Sequence, residues 1–176
     1  MQKAKRLFVG ALFSSIIFVI NFLVPPPVSY LLIVVQAVML ALANLFLGKA
    51  GAIYVGLTGG FLSALSRPAL GPLTFLLTFL FGLLVDIFFL VFKVSSTTES
   101  VEKNRVMVAM MFSTAIIGSF SYYLTAVHLQ IIDLNLMMLG LVVFVAAGSG
   151  ISAGYAAVYL WNKYLKNINL ALIDQA

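Results

Sequence analysis

Long apolar runs separated by short polar punctuation dominate the chain. Six of them approach the roughly 20 residues that a helix needs to cross hydrocarbon. They are Leu7–Val24, closed by Pro25-Pro26-Pro27, then Tyr30–Leu47, closed by Gly48-Lys49, and Ala50–Ser66, short, glycine-rich and closed by Arg67-Pro68. Leu73–Phe92 follows Gly71-Pro72 and ends at Lys93, and Val106–Val127 and Leu136–Trp161 complete the set. The last is long enough to tilt or to project beyond the bilayer. In lipid only closed barrels compete with helices, and these runs are too long and lack strand-like alternation. The expected architecture is an all-α integral membrane protein, a single domain over residues 1–176 with six transmembrane helices. The run Lys93–Arg105 is the one stretch that reads as a solvated loop, and it divides the chain into four helices plus two.

Composition agrees with this reading. Hydrophobic residues make up 63% of the 176 and charged residues only 9%, against roughly 45–50% apolar in ordinary globular proteins. Fifteen charged side chains cannot form the shell of a soluble domain of this size. Cysteine is absent, which removes disulfides, thiolate metal sites and cysteine nucleophiles. A single histidine, His128, excludes a multi-histidine metal site within one chain, and no cofactor is expected. Met1–Arg6 followed by an apolar run resembles a signal peptide, but three prolines stand where a cleavage site would be, so the run reads as a retained first helix.

Charge gives the bundle a direction. With the N-terminus inside, Lys3, Lys5, Arg6, Lys49, Lys93, Lys103, Arg105, Lys163 and Lys166 fall on the cytoplasmic side, and Arg67 alone falls outside. That asymmetry predicts cytoplasmic N- and C-termini in a multi-pass cell-membrane protein. It also explains the net charge of +5 without nucleic acid.

Direction then sorts the polar residues. The outer face is built from Pro25–Ser29, Arg67–Pro72 and His128–Asn135. Arg67, His128, Asp133 and Asn135, with Tyr122 and Tyr123 just below, form a candidate polar pocket for a small solute with hydrogen-bonding groups. The alternative is that Arg67 anchors to lipid phosphate, the loop polars face water and the tyrosines join an interfacial belt. Asp86 is the one acid inside an expected span, and a carboxylate there costs about 2.5–3.5 kcal/mol on insertion scales. It reads either as a proton, cation or partner site, or as a structural pair with Lys49, Lys93 or another basic group. Asn21, Gln36 and Asn44 read as interhelical hydrogen-bonding groups.

Small residues recur every fourth position: Ala52, Gly56, Gly60 and Ala64 in the third run, and Ala146, Gly150 and Gly154 in the sixth. Such stripes let backbones approach closely, and both are expected to pack within the bundle. The first run carries Gly10/Ser14 and Ala11/Ser15, which can equally dock another membrane subunit. No Gly-x-x-x-x-Gly-Lys-Ser/Thr, His-Glu-x-x-His or Gly-x-Ser-x-Gly motif occurs.

The stretch Gly48-Lys49-Ala50-Gly51-Ala52, the glycine-rich Val55–Ser66, Arg67-Pro68-Ala69-Leu70-Gly71-Pro72-Leu73 and Phe81-Gly82-Leu83-Leu84-Val85-Asp86 resembles the substrate-binding S components of energy-coupling-factor (ECF) vitamin transporters. The pattern is closest to those that take up the pyrimidine precursor of thiamine. The resemblance implies a non-enzymatic subunit that captures a vitamin near the outer face and docks a membrane coupling subunit and cytosolic ATPases. It also implies that a small-residue pair on the first helix, here Ala11 and Ser15 or Gly10 and Ser14, contacts that subunit. Two alternatives stand beside it: a stand-alone carrier or channel coupled through Asp86, and an integral membrane enzyme acting on lipid.

Overall fold

The computed structural model describes residues 2–23, 33–66, 71–94, 101–128, 130 and 132–165. Six α-helices carry almost all of them: α1 (Gln2–Leu23), α2 (Ile33–Leu47), α3 (Gly51–Ser66), α4 (Gly71–Val91), α5 (Lys103–Tyr123) and α6 (Leu136–Leu160). Wider π-helical turns extend α5 through Leu124–His128 and α6 through Trp161–Leu165. No strand occurs among the described residues. The helix α5 begins at Lys103, so the tail of the polar run after Lys93 is helical.

α4, α5 with its π turn, and α6 with its π turn are long and apolar enough to cross a membrane. The apolar parts of α1, α2 and α3 are shorter. The 15 residues of α2 span about 22 Å at 1.5 Å per residue.

The sequence of α2 is apolar all round, and such a helix is stable where every face is covered. It touches each of the other five helices, and Ala37, Val38 and Leu40–Leu45 are buried. The others form an arc around it in the order α1, α3, α4, α5, α6. At one end the rings of Phe13, Phe46 and Trp161 join α1, α2 and the π turn after α6, with Phe46 and Trp161 edge-on at 4.9 Å between centroids.

The seams are set by small residues. A Cβ on Gly56 would lie 2.8 Å from the Thr78 carbonyl oxygen, and one on Gly82 would run into the Ala52 carbonyl, so α3 and α4 meet backbone to backbone. The stripe Ala146, Gly150, Gly154 faces α5 in the same manner, against Gly118, Met110 and Met107. α1 runs parallel to α3, joined by a hydroxyl–hydroxyl bond between Ser14 and Thr58 and by Asn21 donating to Ser63 Oγ at 3.3 Å. Both expected stripes therefore pack within the bundle.

Charge is segregated. Lys49, Lys93, Lys103, Arg105 and Lys163 all belong to one end, where α1, α3 and α5 start and α2, α4 and α6 finish. Lys3, Lys5 and Arg6 occupy the first turns of α1 at that same end. The opposite end carries Asp133 and no Lys or Arg among the described residues. Arg67 and Lys166 lie outside the described residues.

Candidate functional site

At the basic end the chain turns from α2 into α3 within three residues. Gly48 (φ 73°) and Ala50 (φ 68°) both adopt left-handed backbone, which leaves Ala50 before the first residue of α3 with no side-chain acceptor. A helix start presents four unpaired N–H groups, and burial makes each one costly. Gly51 N–H donates to the Gly48 carbonyl (3.0 Å), and the first regular helical bond runs from Tyr54 N–H to the Ala50 carbonyl (3.1 Å). The N–H groups of Ala52 and Ile53, between them, are met from another helix. Asp86 of α4 accepts from Ala52 N–H (3.2 Å, Oδ1) and Ile53 N–H (2.8 Å, Oδ2), and Asn44 Nδ2 of α2 donates to its Oδ1. The carboxyl group thus caps α3 and ties three helices together. Gly82, one turn earlier on α4, makes this reach possible by letting α4 close on Ala52.

The partners of Asp86 are thus a helix start and Asn44, not Lys49 or Lys93. No ion pair to it occurs among the described residues, where Arg105 with Glu102 is the one salt bridge. Neither residue's part was visible in isolation: an intramembrane Asn and an intramembrane Asp, 42 positions apart, meet only once α2 and α4 are packed.

At the opposite end the structure brings Tyr122, Asp133 and Asn135 together. The buried Tyr122 hydroxyl accepts from Asn135 N–H (3.0 Å) and faces the carbonyls of Asp133 (3.2 Å) and Asn135 (3.3 Å). Asn135 Oδ1 accepts from Met137 N–H at 2.9 Å and caps α6. The Tyr122 hydroxyl and the Asn135 backbone thus fix the loop to α5, while the side chains of Asn135, Asp133 and Tyr123 are exposed. His128 closes the π turn. Its side chain, and Arg67 altogether, lie outside the described residues. Tyr122→Phe removes the hydroxyl and is expected to cost about 1–2 kcal/mol, read as a lower unfolding midpoint and as faster amide exchange at Asn135 and Met137.

On α1 the small residues divide between two faces. Gly10 lies under the Tyr54 ring and Ser14 is buried against α3, whereas Ala11 and Ser15 are exposed. The pair Ala11/Ser15 is thus the one left open on the surface of the bundle.

A second polar group was not anticipated. Lys103, Tyr155, Val158, Tyr159, Asn162 and Lys163 line a cleft of about 370 Å³ at the basic end, between the start of α5 and the end of α6. The spacing Tyr155, Tyr159, Lys163 on successive turns was its signal in the sequence.

No family model, curated protein or solved structure matches the chain. Function therefore rests on the residues themselves.

Proposed function

We propose that the chain is a multi-pass membrane protein of six spans with both termini in the cytoplasm. In this reading it is the non-enzymatic, substrate-capturing subunit of an importer, of the ECF S-component kind. The observation that carries this reading is the commitment of Asp86. An acid in a span that is free to bind and release a proton or cation is one device by which a carrier couples to an ion gradient. Asp86 is the one acid within the six helices, and its carboxyl oxygens are engaged by Ala52, Ile53 and Asn44. With that acid engaged, this reading draws the energy from a partner, a membrane coupling subunit with cytosolic ATPases. The basic end, turned inward by the positive-inside rule, leaves the Tyr122–Asn135 end to face the incoming solute. The exposed Ala11/Ser15 pair on α1 fits close helix contact with the coupling subunit.

The solute is a small, water-soluble vitamin or related heterocycle, met by Tyr123 and Asp133 beside the loop that Tyr122 and Asn135 hold, with Arg67 and His128 as the further contacts that the sequence suggests. The test is binding of a vitamin panel to the purified protein in lipid nanodiscs, with uptake into liposomes containing the protein alone. Sub-micromolar binding of one member, with no uptake driven by a proton or sodium gradient, is expected. Gradient-driven uptake without partners, abolished by Asp86→Asn, would establish a stand-alone carrier instead.

A further inference from the structure

We infer that the cleft between the start of α5 and the end of α6 binds a phosphate-bearing anion, and that its source is the headgroup of an anionic lipid. Two ammonium groups, Lys103 and Lys163, line it, and no carboxylate among the described residues does. Both are held in place by aromatic faces. Lys103 Nζ lies 4.3 Å from the centre of the Tyr155 ring, and Lys163 Nζ lies 5.1 and 5.2 Å from those of Tyr159 and Tyr164. Lys163 also donates to the Tyr159 hydroxyl at 2.7 Å, which leaves that hydroxyl's proton available to a ligand.

The walls are built, not incidental. Asn162 grips the backbone of Val101 twice, accepting from its N–H (3.1 Å) and donating to its carbonyl (3.4 Å), and so fixes the approach of Lys103 to α6. The π turn Trp161–Leu165, a geometry that occurs mostly as single turns and is frequent at functional sites, carries Asn162 and Lys163 to the rim. The start of α5 adds its own field. Its N-cap, Glu102, makes no side-chain cap bond and instead pairs with Arg105, and Lys103 stands beside it at the positive end of the helix dipole. An anion in the cleft is drawn by that end of the dipole and by both ammonium groups.

A phosphodiester headgroup and free phosphate share this chemistry. The lipid is favoured because Tyr155 and Tyr159 are half exposed beside the strongly apolar surface of α6, where acyl chains can follow a bound headgroup. Basic pockets between helices at the cytoplasmic surface bind such headgroups. The lipid source rests on the membrane orientation proposed above, but the solute-capture reading is tested at the other end of the bundle, so the two can fail separately.

The test is native mass spectrometry of the full chain released from micelles doped with phosphatidylglycerol or with phosphatidylcholine. It is run on the wild type and on a Lys103→Gln/Lys163→Gln variant, with inorganic phosphate as competitor. Both lysines are exposed and their replacement leaves the core intact. One retained phosphatidylglycerol, lost at least about tenfold in the variant and not displaced by phosphate, is expected. Displacement by millimolar inorganic phosphate, with the same dependence on the lysines, would keep the anion site and make free phosphate its ligand. Equal retention by wild type and variant, or retention of neither anion, would overturn the proposal.

Discussion

Asp86→Ala should lower the stability of the purified protein by about 3–5 kcal/mol, because it leaves three donors without their acceptor. The reason is counting. Ala52 N–H, Ile53 N–H and the Asn44 amide lose their common acceptor at once, and the left-handed turn before α3 contains no replacement. Unpaired buried donors cost about 1–3 kcal/mol each, offset in part by relaxation. Unfolding in mixed detergent micelles measures it. Asn44→Ala removes one donor and should cost less, about 1–2 kcal/mol. Since the two residues share a bond, the double variant should fall short of the sum. Asp86→Asn keeps a carbonyl for one backbone N–H but turns an amide donor toward the others, so it should be intermediate. A stability unchanged by Asp86→Ala would return the residue to the candidates for ion coupling.

Gly150→Ala should cost about 2–3 kcal/mol, although alanine is the better helix former. A Cβ at Gly150 would stand 2.5 Å from the Met110 carbonyl oxygen and 2.8 Å from Met111 Cα, so the whole of α5 must retreat. Two residues away on the same helix, Gly148 has nothing within 4 Å of a built Cβ. Gly148→Ala should therefore be neutral or stabilise by up to about 1 kcal/mol. Unfolding curves of the two variants separate the packed face of α6 from its open face. A matching loss in both would mean that α6 does not meet α5 along Gly150 and Gly154.

The comparison of these glycines shows what a sequence can convey. Periodicity alone selects Ala146, Gly150 and Gly154 from the small residues of α6, because a stripe at every fourth residue lies on one face. The Ala52, Gly56, Gly60 stripe was legible for the same reason. Helix positions followed from apolar run length, with the ends adjusted by capping: Pro72 is tolerated in the first turn of α4, and Lys103 starts α5 ahead of the apolar run. Partnerships across helices were not legible. Asp86 with Asn44, Tyr122 with the backbone of Asn135, and Asn162 with Val101 each join residues whose pairing depends on packing rather than spacing. The π turns that end α5 and α6 leave no mark in hydropathy. They carry His128, Asn162 and Lys163, residues on which the reading of both ends of the bundle depends.

The orientation of the bundle carries the functional reading, and the absence of cysteine makes it directly accessible. Single substitutions Lys49→Cys, Lys163→Cys and Asp133→Cys fall at exposed positions at the two ends. They would be probed with a membrane-impermeant maleimide on intact and on opened cells. Labelling of the Asp133→Cys variant in intact cells, with the two lysine-site variants reacting only after the cells are opened, is the predicted result. Labelling of the Lys49→Cys and Lys163→Cys variants in intact cells would contradict it, because the basic end would then face outward and the Tyr122–Asn135 loop could not receive solute from outside.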